Sequence, residues 1–254
     1  MPLLFALSWQ PMPIQHPRRA IPPRLLASTA TAELWLESVY DSIDYETVLF
    51  AEEEQDEESD EQDFSADEFI YGESSLHFFM QVLRAALDII EPNCGDSSGF
   101  CDLGGGKGQL ALAAAREEPE RLDGAVCSVE LMPELHLMAN AAFAIAADGD
   151  PAFRRVTATR GSIYDTATLN DACGGAAAVY AYATKFESTD GEHVERLSAA
   201  LASCALPAEA IVITVNRKLV EKDGWVEAAR PIEGEVPHET SGRGTAFFWR
   251  RRRV

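Results

Sequence analysis

Residues 100–108 read Phe-Cys-Asp-Leu-Gly-Gly-Gly-Lys-Gly, and this stretch decides the fold of the chain. Its first four residues are typical of the end of a buried strand, and the Ala- and Leu-rich run 109–115 that follows the glycines predicts a helix. Glycine is needed where the backbone passes close to a ligand or takes a positive φ. A strand, a glycine loop and a helix at the carboxyl edge of a parallel sheet usually hold a nucleotide-like cofactor.

The spacing of the glycines argues against two other nucleotide-binding loops. A dinucleotide loop requires Gly-x-Gly-x-x-Gly, but here Gly104 and Gly106 are followed by Gln109 at the third position. A P-loop requires Gly-x-x-x-x-Gly-Lys-Ser/Thr, whereas here a cysteine lies five residues before Gly106 and a glycine follows Lys107. The pattern is instead Asp-x-Gly-x-Gly-x-Gly.

A second acidic residue follows the glycine loop at a distance that suits a contact with ribose. The apolar run 124–129 predicts a second strand that ends on Glu130. The two ribose hydroxyls need a paired acceptor, and an acid about 20 residues beyond the loop supplies one in folds of this kind. A solvent-facing glutamate at a strand end is the alternative, and the coupling to the loop favours the ribose contact.

The composition fits one large α/β domain with an extension. The chain has 254 residues, of which 46% are hydrophobic, and this is enough for a substantial core. The formal net charge of −21 argues against a surface that coats nucleic acid, because neutralising phosphates requires clustered Lys and Arg. We therefore expect no direct nucleic-acid binding by the core domain, and a protein partner that is basic.

Cysteine usage and hydropathy predict an intracellular protein without a membrane partner. The five cysteines are scattered without metal-ligand spacing, so we expect no metal site and a reducing compartment. No apolar run approaches the ~20 residues that span a bilayer. The first 32 residues contain no Asp or Glu, which fits either a disordered tail or a transit peptide. The predicted location is the nucleus or cytoplasm, or an organelle if the N-terminus is a transit peptide.

Three segments divide the chain. Residues 1–32 are Pro-rich and are predicted to form a disordered tail or a transit peptide. Residues 33–68 combine a short helical segment with an acidic linker, where nine carboxylates between positions 52 and 63 repel one another. Residues 69–254 form the predicted cofactor-binding domain.

This domain is predicted as an α/β fold, doubly wound around a mostly parallel seven-stranded sheet. Helical and strand patterns alternate from residue 76 onward, as they do where helices cover both faces of a parallel sheet. Gly and Pro turns separate the last two strand patterns, which predicts a terminal antiparallel hairpin. This layout differs from the six-stranded sheet of dehydrogenases.

Two motifs in this order resemble one family. A Tyr-Gly-Glu-Ser-Ser stretch at 71–75 precedes an amphipathic helix, and Asp-Leu-Gly-Gly-Gly-Lys-Gly-Gln at 102–109 follows it. They resemble the Tyr-Gly-Glu-Thr-Ser and Asp-Leu-Gly-Ser-Gly-x-Gly-Gln motifs of the disruptor-of-telomeric-silencing family, the histone lysine methyltransferases without a SET domain. The glycine motif is also similar to motif I of class I (Rossmann-like) S-adenosylmethionine-dependent methyltransferases. The resemblance covers residues 69–216, over half of the chain.

The resemblance implies S-adenosyl-L-methionine as the cofactor. Tyr71 and Ser74 would cover its methionine end, and Asp102 would face its amino group. Gln109 would contact the cofactor from the helix start, and Glu130 would bind the ribose. The implied cofactor-binding residues are Tyr71, Ser74, Asp102, Gly104, Gly106, Gln109, Glu130 and Ser162.

Two departures from the family concern the adenine and the methyl acceptor. The family has an acidic residue after an Arg-Gly pair at the exit of the third strand, whereas here Ser162 follows that pair and Asp165 comes three residues later. Either side chain could contact adenine. The family also has an Asn-Asn-Phe stretch after the fourth strand, and in residues 179–186 only Phe186 corresponds to it.

Tyr182 and Phe186 are the predicted catalytic residues. With Tyr71 they could form an aromatic channel that buries a lysine amine and lowers its pKa from the ordinary ~10.4. The predicted function is therefore the methylation of a protein lysine, on a histone or another protein. The alternatives are a small-molecule acceptor and a catalytically inactive scaffold that binds a partner. Ordinary core packing is the alternative for both aromatic residues.

Overall fold

The computed structural model describes residues 23–43, 75–90, 98–236 and 242–252 of the chain, with side chains described from residue 31 onward. A seven-stranded sheet lies at its centre, in the order β3-β2-β1-β4-β5-β7-β6. The strands are β1 (Gly99–Leu103), β2 (Val126–Glu130), β3 (Val156–Arg160), β4 (Ala176–Ala181), β5 (Ile211–Val215), β6 (Trp225–Glu235) and β7 (Arg243–Arg251).

Helices pack on both faces of the sheet. They are α1 (Pro23–Tyr40), α2 (Leu76–Ile89), α3 (Gln109–Glu117), α4 (Pro133–Gly149), α5 (Thr166–Cys173) and α6 (Glu195–Ser203). Short 3-10 turns occupy Pro151–Arg155, Ala183–Lys185 and Glu221–Asp223. Local sequence sets where α2 begins, because the Ser75 hydroxyl caps the helix by accepting the N–H of Phe78 at 3.2 Å.

The directions of the strands confirm the predicted fold class. β1 pairs in parallel with β2 and β4, β2 with β3, and β4 with β5. β7 is antiparallel to both β5 and β6. The sheet is therefore mostly parallel and ends in an antiparallel hairpin, with β7 inserted between β5 and β6, as in Rossmann-like methyltransferase folds.

Burial explains which strands are central. Every residue of β1, β2, β4 and β5 is buried, as expected for parallel strands that helices cover on both faces. β3 and β6 have exposed residues and form the two edges of the sheet. Two apolar clusters fill the layers, one between the sheet and α1–α4 and the other between the sheet and α5–α6.

The last turns of α1 pack on the first of these clusters. Leu36 and Val39 are buried, and the Trp35 ring stacks on Phe153 with centroids 5.1 Å apart. The guanidinium of Arg116 lies 4.5 Å from the centre of the same Trp35 ring. α1 begins at Pro23, so it includes residues 23–32 of the predicted tail as well as the start of the segment 33–68, in which a short helix was predicted. The acidic run 52–63 lies outside the described residues.

Neither a membrane span nor a metal-binding cluster occurs in the part of the chain that the structure describes. None of the helices described above is long and apolar enough to cross a bilayer. No group of three or more His, Cys, Asp or Glu side chains could hold a metal ion among the residues with described positions. The cysteines at 101, 127, 173 and 204 are buried free thiols.

Candidate functional site

The candidate site lies where four neighbouring parallel strands end. The glycine loop follows β1, Glu130 is the last residue of β2, Ser162 follows β3, and Tyr182 and Phe186 follow β4. The carboxyl ends of parallel strands meet at one edge of a sheet, so the structure brings these predicted residues to a common edge. The winding reverses between β1 and β4, and ligands bind in the crevice at such a switch point.

Two of the predicted cofactor-binding residues, Tyr71 and Ser74, lie outside the described residues. The next described residue, Ser75, is at the same edge of the sheet, because its hydroxyl donates to the carbonyl of Glu235 at the end of β6 at 2.9 Å. The chain therefore enters α2 at the edge that carries the glycine loop.

The glycine loop needs the backbone freedom of its glycines. Gly104, Gly106 and Gly108 have φ values of 73°, 55° and 81°, where a side chain would be strained. The N–H groups of Gly104 and Gly105 donate to the carbonyl of Val129 at 2.8 and 3.0 Å, which ties the loop to β2. Gln109 begins α3 directly after the loop and is half-buried.

Beneath the loop lie two buried polar side chains, Asp102 and Ser128. They are in register on β1 and β2 and are 2% and 0% exposed. A Cβ atom on Gly105 would lie 2.1 Å from Ser128 Oγ and 2.9 Å from Asp102 Oδ2. Neither of these two oxygens has a hydrogen-bond partner among the described residues. Because an unpaired buried polar atom costs about 1–3 kcal/mol, this is where a ligand with donor groups would gain most.

Burial sets the protonation of Asp102. Loss of hydration, and then the neighbouring charges of Glu130 and Cys127, raise the pKa of the Asp102 carboxyl from 3.8 to about 8. The carboxyl is therefore mainly neutral at pH 7. A bound cation would favour its ionised form, so this site can exchange a proton for a cationic ligand group.

Glu130 has a structural function that the sequence did not indicate. Its Oε2 accepts the N–H of Gly106 at 2.8 Å, and its Oε1 accepts the N–H groups of Leu131 and Met132 at 2.8 and 2.9 Å. The carboxylate therefore fixes both the glycine loop and the start of α4. A carboxylate can accept about four hydrogen bonds, so Glu130 retains capacity for a ribose hydroxyl.

The chain after β4 places Phe186 against the glycine loop. A Cβ atom on Gly104 would lie 3.3 Å from Phe186 Cζ, so only glycine leaves ordinary contact distance there. Tyr182 is half-buried and packs against the cluster beneath α1–α4. Of the two predicted catalytic residues, Phe186 therefore lies beside the loop, and Tyr182 packs at least partly as a core residue.

A hydrogen-bond network holds the β4 exit segment. Asn216 Nδ2 donates to Thr184 Oγ1 at 2.9 Å, and Asn216 Oδ1 accepts the N–H of Thr245 at 2.8 Å. The guanidinium of Arg217 donates to the Thr184 carbonyl through Nε and Nη2 at 3.1 and 3.0 Å. Asn216 has a φ of 65°, a conformation that non-glycine residues rarely adopt. The network links the ends of β4, β5 and β7 two residues before Phe186.

The hydrogen bonds after β3 distinguish Ser162 from Asp165, the two residues that could contact adenine. The Asp165 carboxylate caps α5 by accepting the N–H groups of Ala167 and Thr168 at 3.4 and 3.0 Å, and the Thr168 hydroxyl at 2.8 Å. These bonds lower the pKa of Asp165. Ser162 Oγ accepts the N–H of Tyr164 at 3.2 Å, which leaves its own hydroxyl proton for another acceptor. Ser162 is therefore better placed for a ligand contact than Asp165.

Ser128 and Asn216 were missed by the sequence analysis. Ser128 could have been found, because it is a polar residue inside a strand of apolar residues, two positions before Glu130 and hence on the same face. The contacts of Asn216 could not, since they join residues that are 29 and 32 positions apart.

The arrangement fits the cofactor that the motifs imply. The ammonium group of S-adenosylmethionine suits the partnerless Asp102 oxygen, its ribose hydroxyls suit Glu130, and the positive-φ glycines leave room for close approach. Ser162 offers a hydroxyl beyond β3 for a ring nitrogen.

Comparisons with known proteins give structural likeness only. No protein-family model matches the chain, and no curated protein matches it. The rRNA methyltransferase aviRa from Streptomyces viridochromogenes is 17% identical with a TM-score of 0.49, over 75% of this chain and 94% of that one. The geranyl diphosphate C-methyltransferase from Streptomyces coelicolor A3(2), in complex with Mg2+, geranyl diphosphate and S-adenosyl-L-homocysteine, is 13% identical with a TM-score of 0.47, over 69% and 79%.

A third structure, MtNAS in complex with MTA and tNA, is 12% identical with a TM-score of 0.45, over 68% of this chain. The chain spans 60% of the length of that protein. At these identities and scores the likeness carries no argument about activity or acceptor. Membership of the disruptor-of-telomeric-silencing family therefore stays a prediction from the two motifs.

Proposed function

We propose that this protein is an S-adenosylmethionine-dependent methyltransferase. The observation that carries the proposal is the buried carboxyl of Asp102, whose Oδ2 has no hydrogen-bond partner among the described residues, beneath a positive-φ glycine loop at the switch point of the sheet. When bound, S-adenosylmethionine supplies a methyl group on a positively charged sulfur. A nucleophile attacks the methyl carbon in line with the carbon–sulfur bond, and S-adenosylhomocysteine leaves.

Each residue of the site has a defined task in this proposal. Asp102 gives up its proton and pairs with the ammonium group of the cofactor. Glu130 accepts from the ribose while it keeps hold of the Gly106 N–H. Ser162 contacts the adenine, and Phe186 forms an apolar wall beside Gly104 that excludes water from the reacting atoms. The protein thereby contributes mainly position and desolvation, which are the chief means of accelerating such a displacement.

We propose an amine of a basic protein, such as a histone lysine, as the methyl acceptor. The net charge of −21 and the acidic run 52–63 favour a basic partner. An amine must lose its proton before it can attack, and the apolar surface of Phe186 beside the glycine loop would lower the pKa of the amine by disfavouring its charged form.

A small molecule with an acidic group is the second candidate acceptor. One observation favours it, because Arg217 Nη1 is buried without a hydrogen-bond partner among the described residues, next to the β4 exit segment. Lys185 is exposed in the same segment. A cationic rim of this kind suits an anionic acceptor better than a lysine.

Calorimetric titration with S-adenosylmethionine tests the proposed activity. We expect saturable binding by the wild-type protein and at least about tenfold weaker binding by Glu130→Gln. Glu134→Gln is the matched control, because Glu134 is an exposed residue on the first turn of α4. A folded wild-type protein that gives no binding signal at millimolar cofactor would contradict the proposal and favour a binding scaffold.

Transfer of labelled methyl groups to a cell extract tests the acceptor. The extract is separated into protein and low-mass fractions, and mass spectrometry identifies the labelled product. Label on lysine residues of proteins supports the first candidate acceptor, whereas label only in the low-mass fraction overturns it in favour of the second.

A further inference from the structure

The last turn of α1 contacts the glycine loop directly. The hydroxyl of Tyr40 donates to the backbone carbonyl of Lys107 at 2.6 Å, although 67 residues separate them. Lys107 lies between Gly106 and Gly108, which both have positive φ. Tyr40 is only 7% exposed, so this hydrogen bond is shielded from competing water.

Packing fixes the position from which Tyr40 reaches the loop. Leu36, Val39 and Ile43 are 6%, 4% and 6% exposed and belong to the same apolar cluster as α2, α3 and α4. Trp35, one turn earlier, lies between Phe153 and the guanidinium of Arg116. The Tyr40 ring therefore lies on a helix end whose neighbouring side chains are packed in the core.

Two side chains, one from β2 and one from α1, hydrogen-bond to the backbone of the glycine loop. Glu130, at the end of β2, accepts the Gly106 N–H through Oε2 at 2.8 Å. Tyr40, at the end of α1, donates to the carbonyl of Lys107. The Gly108 N–H, on the same peptide unit as the Lys107 carbonyl, donates to Gly105 at 2.9 Å. The Tyr40 bond thus fixes the orientation of the peptide unit between Lys107 and Gly108, and Gly108 is the residue directly before α3.

We propose that Tyr40 is a positioning residue that holds the glycine loop in the conformation that accepts the cofactor. This inference rests on the proposed function for its ligand, and it assigns a part of the binding site to the helix before the acidic run. Without the hydroxyl, the peptide unit between Lys107 and Gly108 keeps the Gly108 N–H bond to Gly105 but loses the Tyr40 bond to its carbonyl, and the glycine at position 108 lets this unit rotate more readily than a larger residue would.

The test compares three full-length variants by calorimetric titration with S-adenosylmethionine and by thermal unfolding. Tyr40→Phe removes only the hydroxyl, and we expect its affinity to fall about fivefold, the size of one net hydrogen bond. Val39→Ala weakens the packing of α1 but keeps the hydroxyl, so it should lower the melting temperature and leave the affinity unchanged. Ser42→Ala loses a local bond to Ser38 in the same segment and should change neither quantity.

An unchanged affinity in Tyr40→Phe overturns the inference, and so does an equal loss of affinity in Val39→Ala. Amide hydrogen exchange across residues 104–109, measured without cofactor, separates this inference from the proposed function. Faster exchange in Tyr40→Phe, and not in Val39→Ala, supports the positioning role even if the wild-type protein fails to bind S-adenosylmethionine. Unchanged exchange in Tyr40→Phe counts against the role in either case.

Discussion

Glu130 Oε2 accepts the N–H of Gly106 at 2.8 Å, and this bond joins the end of β2 to the middle of the glycine loop. The same carboxylate accepts two N–H groups at the start of α4. Glu130 is 7% exposed, and these backbone donors satisfy most of its hydrogen-bonding capacity. One side chain thereby shapes the loop and presents the acceptor that a ribose would use.

Glu130→Gln should cost stability as well as affinity. The amide has one acceptor oxygen instead of two, so an NH2 group must face at least one of the backbone N–H donors. We expect the free energy of unfolding to fall by about 1–3 kcal/mol. Urea unfolding measures this loss, and an unchanged midpoint relative to Glu134→Gln would contradict the structural function of Glu130.

Gly105→Ala should destabilise the protein because of Ser128. The new Cβ would lie 2.1 Å from Ser128 Oγ, and neither the loop nor the buried strand can move freely, so we expect a loss of about 1–3 kcal/mol. The double variant Gly105→Ala/Ser128→Ala should recover part of it. Ser128→Ala alone should be neutral or stabilising, because the hydroxyl it removes is buried without a described partner. Thermal unfolding of the three variants tests this expected order of stabilities. Equal melting temperatures for Gly105→Ala and for the double variant would refute the clash between the new Cβ and Ser128 Oγ.

The contribution of Asp102 to stability should fall as the pH rises from about 4 to about 8. The folded-state pKa of this carboxyl is raised from 3.8 to about 8, so between these values the folded protein binds a proton that the unfolded chain has lost. This linkage lowers the free energy of unfolding by up to about 1.4 kcal/mol per pH unit. Asp102→Asn cannot titrate, so its stability should fall less over this range. Parallel curves for both proteins would show that Asp102 titrates normally.

Cofactor binding should release a proton from Asp102. The ammonium group of S-adenosylmethionine favours the ionised carboxylate, so the affinity should increase as the pH rises toward about 8. Titrations in two buffers of different ionisation enthalpy count the protons released, and Asp102→Asn supplies the control without this group. Binding with no difference in proton release between the two proteins would exclude the contact.

Substitutions at Asn216 can distinguish the effect of backbone strain from the effect of the side-chain hydrogen bonds. Its φ of 65° favours glycine, while its side chain bonds to Thr184 and Thr245. Asn216→Gly loses the bonds alone, whereas Asn216→Ala also adds backbone strain, so the alanine variant should be less stable by about 1 kcal/mol. Both should slow methyl transfer more than they weaken cofactor binding, because the network holds the segment before Phe186. A glycine variant less stable than the alanine variant would contradict this account.

Local patterns were sufficient to predict most of the fold. The second strand ends on Glu130 and a helix begins directly after the glycine loop at Gln109, both as predicted, because such elements are set by residues close in sequence. β6 forms one edge of the sheet and runs from Trp225 to Glu235. Its exposed, alternating edge pattern gives a weaker signal than a buried central strand.

The sequence by itself determined the parallel sheet, the terminal hairpin, the glycine loop and the residues at the strand ends, because alternation and glycine spacing are local properties of the chain. Only the tertiary structure decided that Glu130 holds Gly106, that Ser128 lies beneath Gly105, and that Tyr40 reaches Lys107. Glu130 and Gly106 are 24 positions apart in the sequence, and Tyr40 and Lys107 are 67 positions apart. Such pairs meet only when strand order and helix packing are complete, and no periodicity in the sequence records that outcome.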